Sequence, residues 1–113
     1  MDIETLRSIC TAYPGVTEDI KWGNDLCFQV GGKMFCVTSL QPPLQISFKV
    51  PDEEFDELST SESIIPAPYA ARFKWILVQD PALFKKKQWE HYIAQSYQLV
   101  KAKLPKKLQA RLK

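Results

Sequence analysis

Apolar residues recur at Ile3, Leu6, Ile9, Cys10 and Tyr13, the spacing of one helix face, and predict a helix over residues 3–12 capped by Asp2. Pro14-Gly15 ends it. Cys10 falls on the apolar stripe and reads as a small buried hydrophobe. The period then shortens. Residues 16–22 are expected to lead into a sheet, with Ile20 and Trp22 at its start and Gly23-Asn24 as a turn. Residues 25–40 read as two apolar-rich arms, DLCFQV and KMFCVTSL, around Gly31-Gly32. A Gly-Gly pair reaches positive φ without a Cβ clash and suits a hairpin turn. A simple turn pairs Val30 with Lys33, Gln29 with Met34, Phe28 with Phe35, Cys27 with Cys36 and Leu26 with Val37. A bulge would shift one arm against the other and change that order.

After Pro42-Pro43, residues Leu44, Ile46, Phe48 and Val50 alternate with Gln45, Ser47 and Lys49, the pattern of a half-buried strand. Pro51 and the acids that follow suit a helix start, and a short helix to Leu58 turns Phe55 and Leu58 inward. Residues 59–63 are a polar loop. Residues 64–69, twice interrupted by proline, read as an irregular packed crossing, with a helical turn near 69–71. FKWILV, residues 73–78, is a further strand, apolar enough to be central. A last helix over 86–104 presents Trp89, Ile93, Tyr97, Val100 and Leu104 on one face. Pro105 breaks it, leaving a loosely held basic end over 105–113. The order α-β-β-β-β-α-β-α predicts an α+β two-layer sandwich, an antiparallel sheet with helices packed on one face.

Composition narrows the class. The chain has 113 residues with 45% apolar content, consistent with one domain over 1–113. No apolar run approaches membrane-spanning length, and the start, MDIETLRS, carries no apolar signal segment, so a cytoplasmic protein is expected. Three cysteines without a CxxC spacing do not make a secreted disulfide scaffold. Cys27 and Cys36, opposed in the simple register, permit a cross-strand disulfide, and a reducing cytosol leaves them as free thiols.

Charge is unevenly placed. Residues 1–84 hold six Lys/Arg and twelve Asp/Glu, whereas residues 85–113 hold nine Lys/Arg and one acid, for a net charge of +2. Such an end either attracts a polyanion or an acidic protein, or serves as a solvated face that balances the acidic body. Lys85, Lys86 and Lys87 sit at the start of the last helix, where its dipole disfavours cations.

Candidate chemistry is sparse. One histidine, His91, stands on an edge of the last helix without a second His to build a zinc site. The acids at 52–57 lack the ligand spacing of a calcium loop, and Gly31-Gly32-Lys33 lacks that of a phosphate loop. No nucleophile–base pair, metal site or cofactor is read from the chain, and no enzyme is expected. Phosphate contacts to double-stranded DNA are the expected activity, through Lys33 at a hairpin wing and Lys85, Lys86, Lys87, Lys101, Lys103, Lys106, Lys107, Arg111 and Lys113. The alternative is a protein-interaction or small-ligand module, with an uncharacterised enzyme third. It would use an aromatic-lined cleft between hairpin and last helix, with Trp22, Tyr69, Trp75, His91 and Ser96 as cleft candidates. A monomer is the working expectation.

PGVTEDIKWGNDLCFQVGGKMF (14–35), PAPYAARFKWILV (66–78) and SYQLVKAKLPKK (96–107) stand in this order, and on them the chain resembles the MmcQ/YjbR family of small bacterial proteins. Positions matching that pattern include Pro14, Gly15, Trp22, Gly23, Phe28, Gly32, Lys33, Phe35, Pro66, Tyr69, Trp75, Ser96, Tyr97 and Val100. The resemblance implies a CyaY/frataxin-like, double-wing arrangement and a DNA-binding role, with Lys33, Lys74 and Ser96 as polar positions to examine. It carries no assigned reaction. Iron binding of the frataxin kind is not implied, because the acidic helix follows the strands instead of opening the chain.

Overall fold

The Asp2 carboxylate accepts the Thr5 backbone N–H at 2.7 Å and starts the first helix, α1, Ile3–Thr11. The structure, a computed structural model, describes residues 1–68 and 70–112. Six strands follow as β1 (Val16–Lys21), β2 (Asp25–Val30), β3 (Lys33–Ser39), β4 (Ile46–Lys49), β5 (Ile64–Pro66) and β6 (Trp75–Val78). Helix α2 (Asp52–Leu58) joins β4 to β5, and α3 (Lys86–Lys101) and α4 (Lys106–Arg111) end the chain. The strands form one antiparallel sheet in the order β1-β2-β3-β4-β6-β5. The helices pack on one face of it, giving the expected two-layer α+β sandwich.

The glycine turn pairs Val30 with Lys33 and Gln29 with Met34, as a simple hairpin requires. Beyond that the register shifts: Phe28 faces Cys36, Cys27 faces Val37, and Leu26 faces Thr38. Phe35 is the extra residue of a β-bulge, so the pairs Phe28–Phe35, Cys27–Cys36 and Leu26–Val37 do not form. The bulge turns both Phe35 and Cys36 into the core and moves Val37 to the opposite face. All three cysteines are free and buried.

One hydroxyl explains why the bulge is held. Phe35 and Lys49 stand one position beyond the last β3–β4 pair, Cys36 with Phe48. There the buried Ser96 of α3 enters the gap. Its hydroxyl donates to the Phe35 carbonyl at 2.6 Å and accepts the Lys49 backbone N–H at 3.0 Å. Two polar groups orphaned by the irregular ladder are thereby satisfied from the helix layer. Tyr97 locks the same region: its ring meets Phe35 edge-on at 5.5 Å and stacks on Tyr13 at 4.8 Å, and its hydroxyl donates to the Pro14 carbonyl at 2.6 Å. At the other end of α3, the Trp89 indole N–H donates to the Pro81 carbonyl at 2.9 Å while its ring packs edge-on against Phe48 and Phe84.

Two segments differ from the periodicity. Residues 64–66, read as irregular, form the short edge strand β5. Pro66 is tolerated there because an outermost strand needs no outward N–H donor. The last helix stops at Lys101. Leu104 nevertheless stays buried, lying where a Cβ on Gly31 would come within 2.7 Å of it. Gly31, at φ 57°, thus supplies both the left-handed turn and the room for the end of α3. Helix α4 folds back over the body. Leu108 and Leu112 rest against the core, and the Gln109 side chain donates to the Leu104 carbonyl at 2.7 Å.

Replacing Ser96 with Ala should leave the Phe35 carbonyl and Lys49 N–H without partners and cost roughly 2–4 kcal/mol in urea unfolding. A loss below about 0.5 kcal/mol would contradict the bridge. Burial, with Cys10 alongside, pushes the Cys36 thiol well above its ordinary value. Burial and then Asp25 raise Cys27. The folded chain therefore keeps protons that unfolded thiols release near pH 8.5, and the stability this gives is lost as pH rises beyond that point. The fall in unfolding free energy between about pH 8.5 and 10.5 should be shallower in a Cys27→Ala/Cys36→Ala double variant than in the native chain. Equal slopes would contradict the assignment.

Candidate functional site

Strand alternation sends every second side chain away from the helices, and among the described residues helix α3 reaches that side with Val100. The uncovered face forms a groove of about 1130 Å³ with an apolar floor that includes Met34, Val37 and Leu77. The groove crosses β2, β3, β4 and β6, roughly 14 Å from strand to strand. Its walls carry aromatic rings: Trp22 from the β1–β2 turn, Phe73 from the turn before β6, and Trp75 on β6.

Trp22 and Phe73 are 69% and 52% exposed, uncommon for rings of their size. Trp22 also holds φ 52°, a left-handed conformation that costs a bulky residue about 1–2 kcal/mol relative to the ordinary regions. Nothing in the core repays this, because the ring stands in solvent at the lip of the groove. The Arg72 guanidinium lies 4.7 Å from the centre of the Phe73 ring.

Three lysines and one aspartate are the ionisable residues lining the groove: Lys33, Lys49, Lys103 and Asp25. The Lys49 ammonium donates to the Phe73 carbonyl, which fixes the turn carrying that ring. Burial and then the neighbouring Lys103 hold the Lys49 pKa below its ordinary value. Lys103 reaches the groove because Leu104 seats the end of α3 under Gly31, beside the turn that carries Lys33. Strand register places Lys33, Lys49 and Trp75 toward one end of the groove, and Trp22 and Asp25 toward the other.

The predicted site residues separate accordingly. Lys33, Lys103, Trp22 and Trp75 meet in the groove. Lys74, itself left-handed at φ 64°, directs its ammonium over the Phe55 ring of α2 at 4.9 Å. Lys101 lies over Tyr97 at 5.8 Å. Lys85, Lys86 and Lys87 are exposed at the far end of α3, roughly 24 Å from Lys101 along the helix. Lys106, Lys107 and Arg111 are exposed on α4, and the ion pairs found among the described residues are those of Arg7 with Glu4 and Glu18. His91 is exposed on α3, and Ser96 is buried between α3 and the sheet. Tyr69 and Lys113 lie outside the described residues. The space between hairpin and α3, where a cleft was expected, is filled by Phe28, Phe35, Ile93 and Tyr97. The groove lies on the other side of the sheet because all the helices pack together. Lys49 and Phe73 were not among the sequence candidates. The signal for Lys49 was its alternation with Ile46, Phe48 and Val50, which put it on the outward face.

Among the described residues, no group of three His, Cys, Asp or Glu is placed to hold a metal ion. In the groove, the Ser39 hydroxyl donates to the Pro43 carbonyl at 3.1 Å instead of to a base. The arrangement is equipped to bind: an apolar floor, exposed rings, and cations at one end. The acids of α2 do not line the groove: the Glu54 carboxylate accepts from Gln95 of α3 at 2.9 Å, while Asp52 lies near enough to Lys49 to offset part of the effect of its burial. No helix of the described residues is long and apolar enough to cross a membrane.

The YjbR family model matches residues 11–99. Among solved structures, the chain is similar to Deinococcus radiodurans protein DR2400, which carries the family-model domain DUF419. The identity is 28% and the TM-score 0.87, over 97% of this chain and 86% of that one. It also shares the fold of a Pseudomonas syringae protein at 19% identity and TM-score 0.70, over 88% of this chain and 98% of that one. No curated protein matches the chain. The sequence motifs, the six-stranded sheet with its one-sided helix layer, and the match over most of the chain agree: this protein belongs to the YjbR family.

Proposed function

We propose that the protein is a non-catalytic nucleic-acid-binding module that holds the phosphate backbone electrostatically in the groove of the uncovered sheet face. The observation that carries this reading is the convergence of Lys33, Lys49 and Lys103 on one open, ring-lined surface, with Asp25 as the acid in its lining. Phosphate contacts of this kind position a strand without reading its bases. Lys106, Lys107 and Arg111 follow directly after Lys103 and extend the positive end. The cations at the start of α3 lie too far along the helix to join it. Three free thiols accord with a reducing, cytoplasmic setting.

A second reading, a small-ligand pocket, draws on the apolar floor. Its weakness is size: about 1130 Å³ exceeds the roughly 300–1,000 Å³ of pockets that enclose drug-sized ligands. An extended ligand laid along the groove suits the shape better.

Titration of DNA at several salt concentrations separates the two. The logarithm of affinity should fall linearly with the logarithm of salt. Replacing Lys33 and Lys103 together by Ala should reduce the slope by about 1.4 to 1.8. Binding without salt dependence, or a slope unchanged in the double variant, would count against phosphate recognition in the groove.

A further inference from the structure

We infer that the groove takes single-stranded nucleic acid, with unpaired bases stacked on Trp22, Phe73 and Trp75 while Lys33, Lys49 and Lys103 meet the phosphates. This rests on the nucleic-acid reading above and specifies the form of the ligand.

The reasoning starts from what a duplex offers. Its base faces are covered by their neighbours, so a protein reaches only base edges and phosphates. Edges are read by elements that protrude into a groove, and the cationic surface here is concave. Exposed rings on such a surface find no π-face in a duplex. An unpaired strand presents a face at every base and lies along a concave channel. Stacking platforms of this kind, set beside cations that track the backbone, tolerate any sequence.

Three features of the chain fit that ligand. The Trp22 ring is held in solvent by a left-handed backbone that any glycine would adopt more easily, so the local fold is not the reason for a tryptophan there. Phe73 is exposed, with Arg72 beside its ring and its own carbonyl tied to the Lys49 ammonium, so one platform and one cation are fixed together. The cations gather at the end holding Trp75, and Trp22 lies five or six residues away along the strands, about 20 Å. That length holds about four to six stacked nucleotides. Asp25 near the Trp22 end leaves the net positive charge at the other end, which matches a strand engaged by phosphates there and by a base at Trp22.

The test compares an oligothymidylate of about ten nucleotides with a duplex of equal length at one salt concentration, read by tryptophan fluorescence and by anisotropy of a labelled strand. The single strand should bind at least roughly tenfold more tightly than the duplex, and Trp22→Gly and Phe73→Ala should each weaken it about tenfold with little effect on the duplex. Trp22→Gly relieves the positive φ and Phe73 is exposed, so both variants should keep the native thermal transition. Duplex binding as tight as single-strand binding, indifferent to both ring variants but steeply salt-dependent, would overturn the stacking inference and leave phosphate recognition standing. Absence of salt-dependent binding to either form would overturn both, and would favour a peptide or apolar ligand in the groove.

Discussion

The fold depends on a hydroxyl placed where a sheet ladder fails. The bulge at Phe35 leaves a carbonyl on β3 and an N–H on β4 without each other, and the Ser96 hydroxyl, from the middle of α3, donates to the carbonyl and accepts the N–H. A buried pair of orphaned backbone groups would otherwise cost several kcal/mol, so helix and sheet are bound in one register and no other. Tyr97, the next residue, carries the constraint outward through Phe35, Tyr13 and the Pro14 carbonyl. The helix is thereby pinned at its centre to the hairpin and, through Leu104 under Gly31, at its end to the glycine turn.

That pinning decides what the other face of the sheet can be. With α1, α2 and α3 all on one side, Val37, Ser47, Lys49, Trp75 and Leu77 are left uncovered. The bulge contributes directly, since without it Val37 would point into the core. The helix end that lies against Gly31 delivers Lys103 beside Lys33, and the acids of α2 do not line the groove. Packing on one face and charge on the other are therefore two results of the same contact. The left-handed Trp22, which stabilises nothing in the core, is intelligible only on the uncovered side.

Much of this is legible in the residues alone. The helical stripe through Trp89, Ile93, Tyr97 and Val100, the glycine turn with its first two pairs, and the alternation from Leu44 to Val50 all follow from local period and turn chemistry. The bulge does not, because its cause lies 61 positions away in Ser96, and no local pattern distinguishes Phe35 followed by Cys36 from an ordinary alternating arm. Strand β5 is hidden by its prolines, which are admissible only because the strand proves to be at an edge. The groove was half visible. Trp22, Trp75, Lys33 and Lys103 were identified one by one, but their meeting depends on which face the helices choose. Lys49 and Phe73 become informative only once the Lys49 ammonium is seen to hold the turn on which Phe73 stands.

The central claim is that the face left bare by the Ser96-anchored helix layer is where the ligand lies. The most direct measurement is the change in backbone amide resonances as an oligothymidylate is added to the isotopically labelled chain. The account predicts saturable shifts clustered at Lys33, Val37, Ser47, Phe73 and Trp75 and at the Trp22 turn, with the exposed face of α3 around His91 unmoved. Shifts confined to α3 and α2, or none at any concentration, would contradict it.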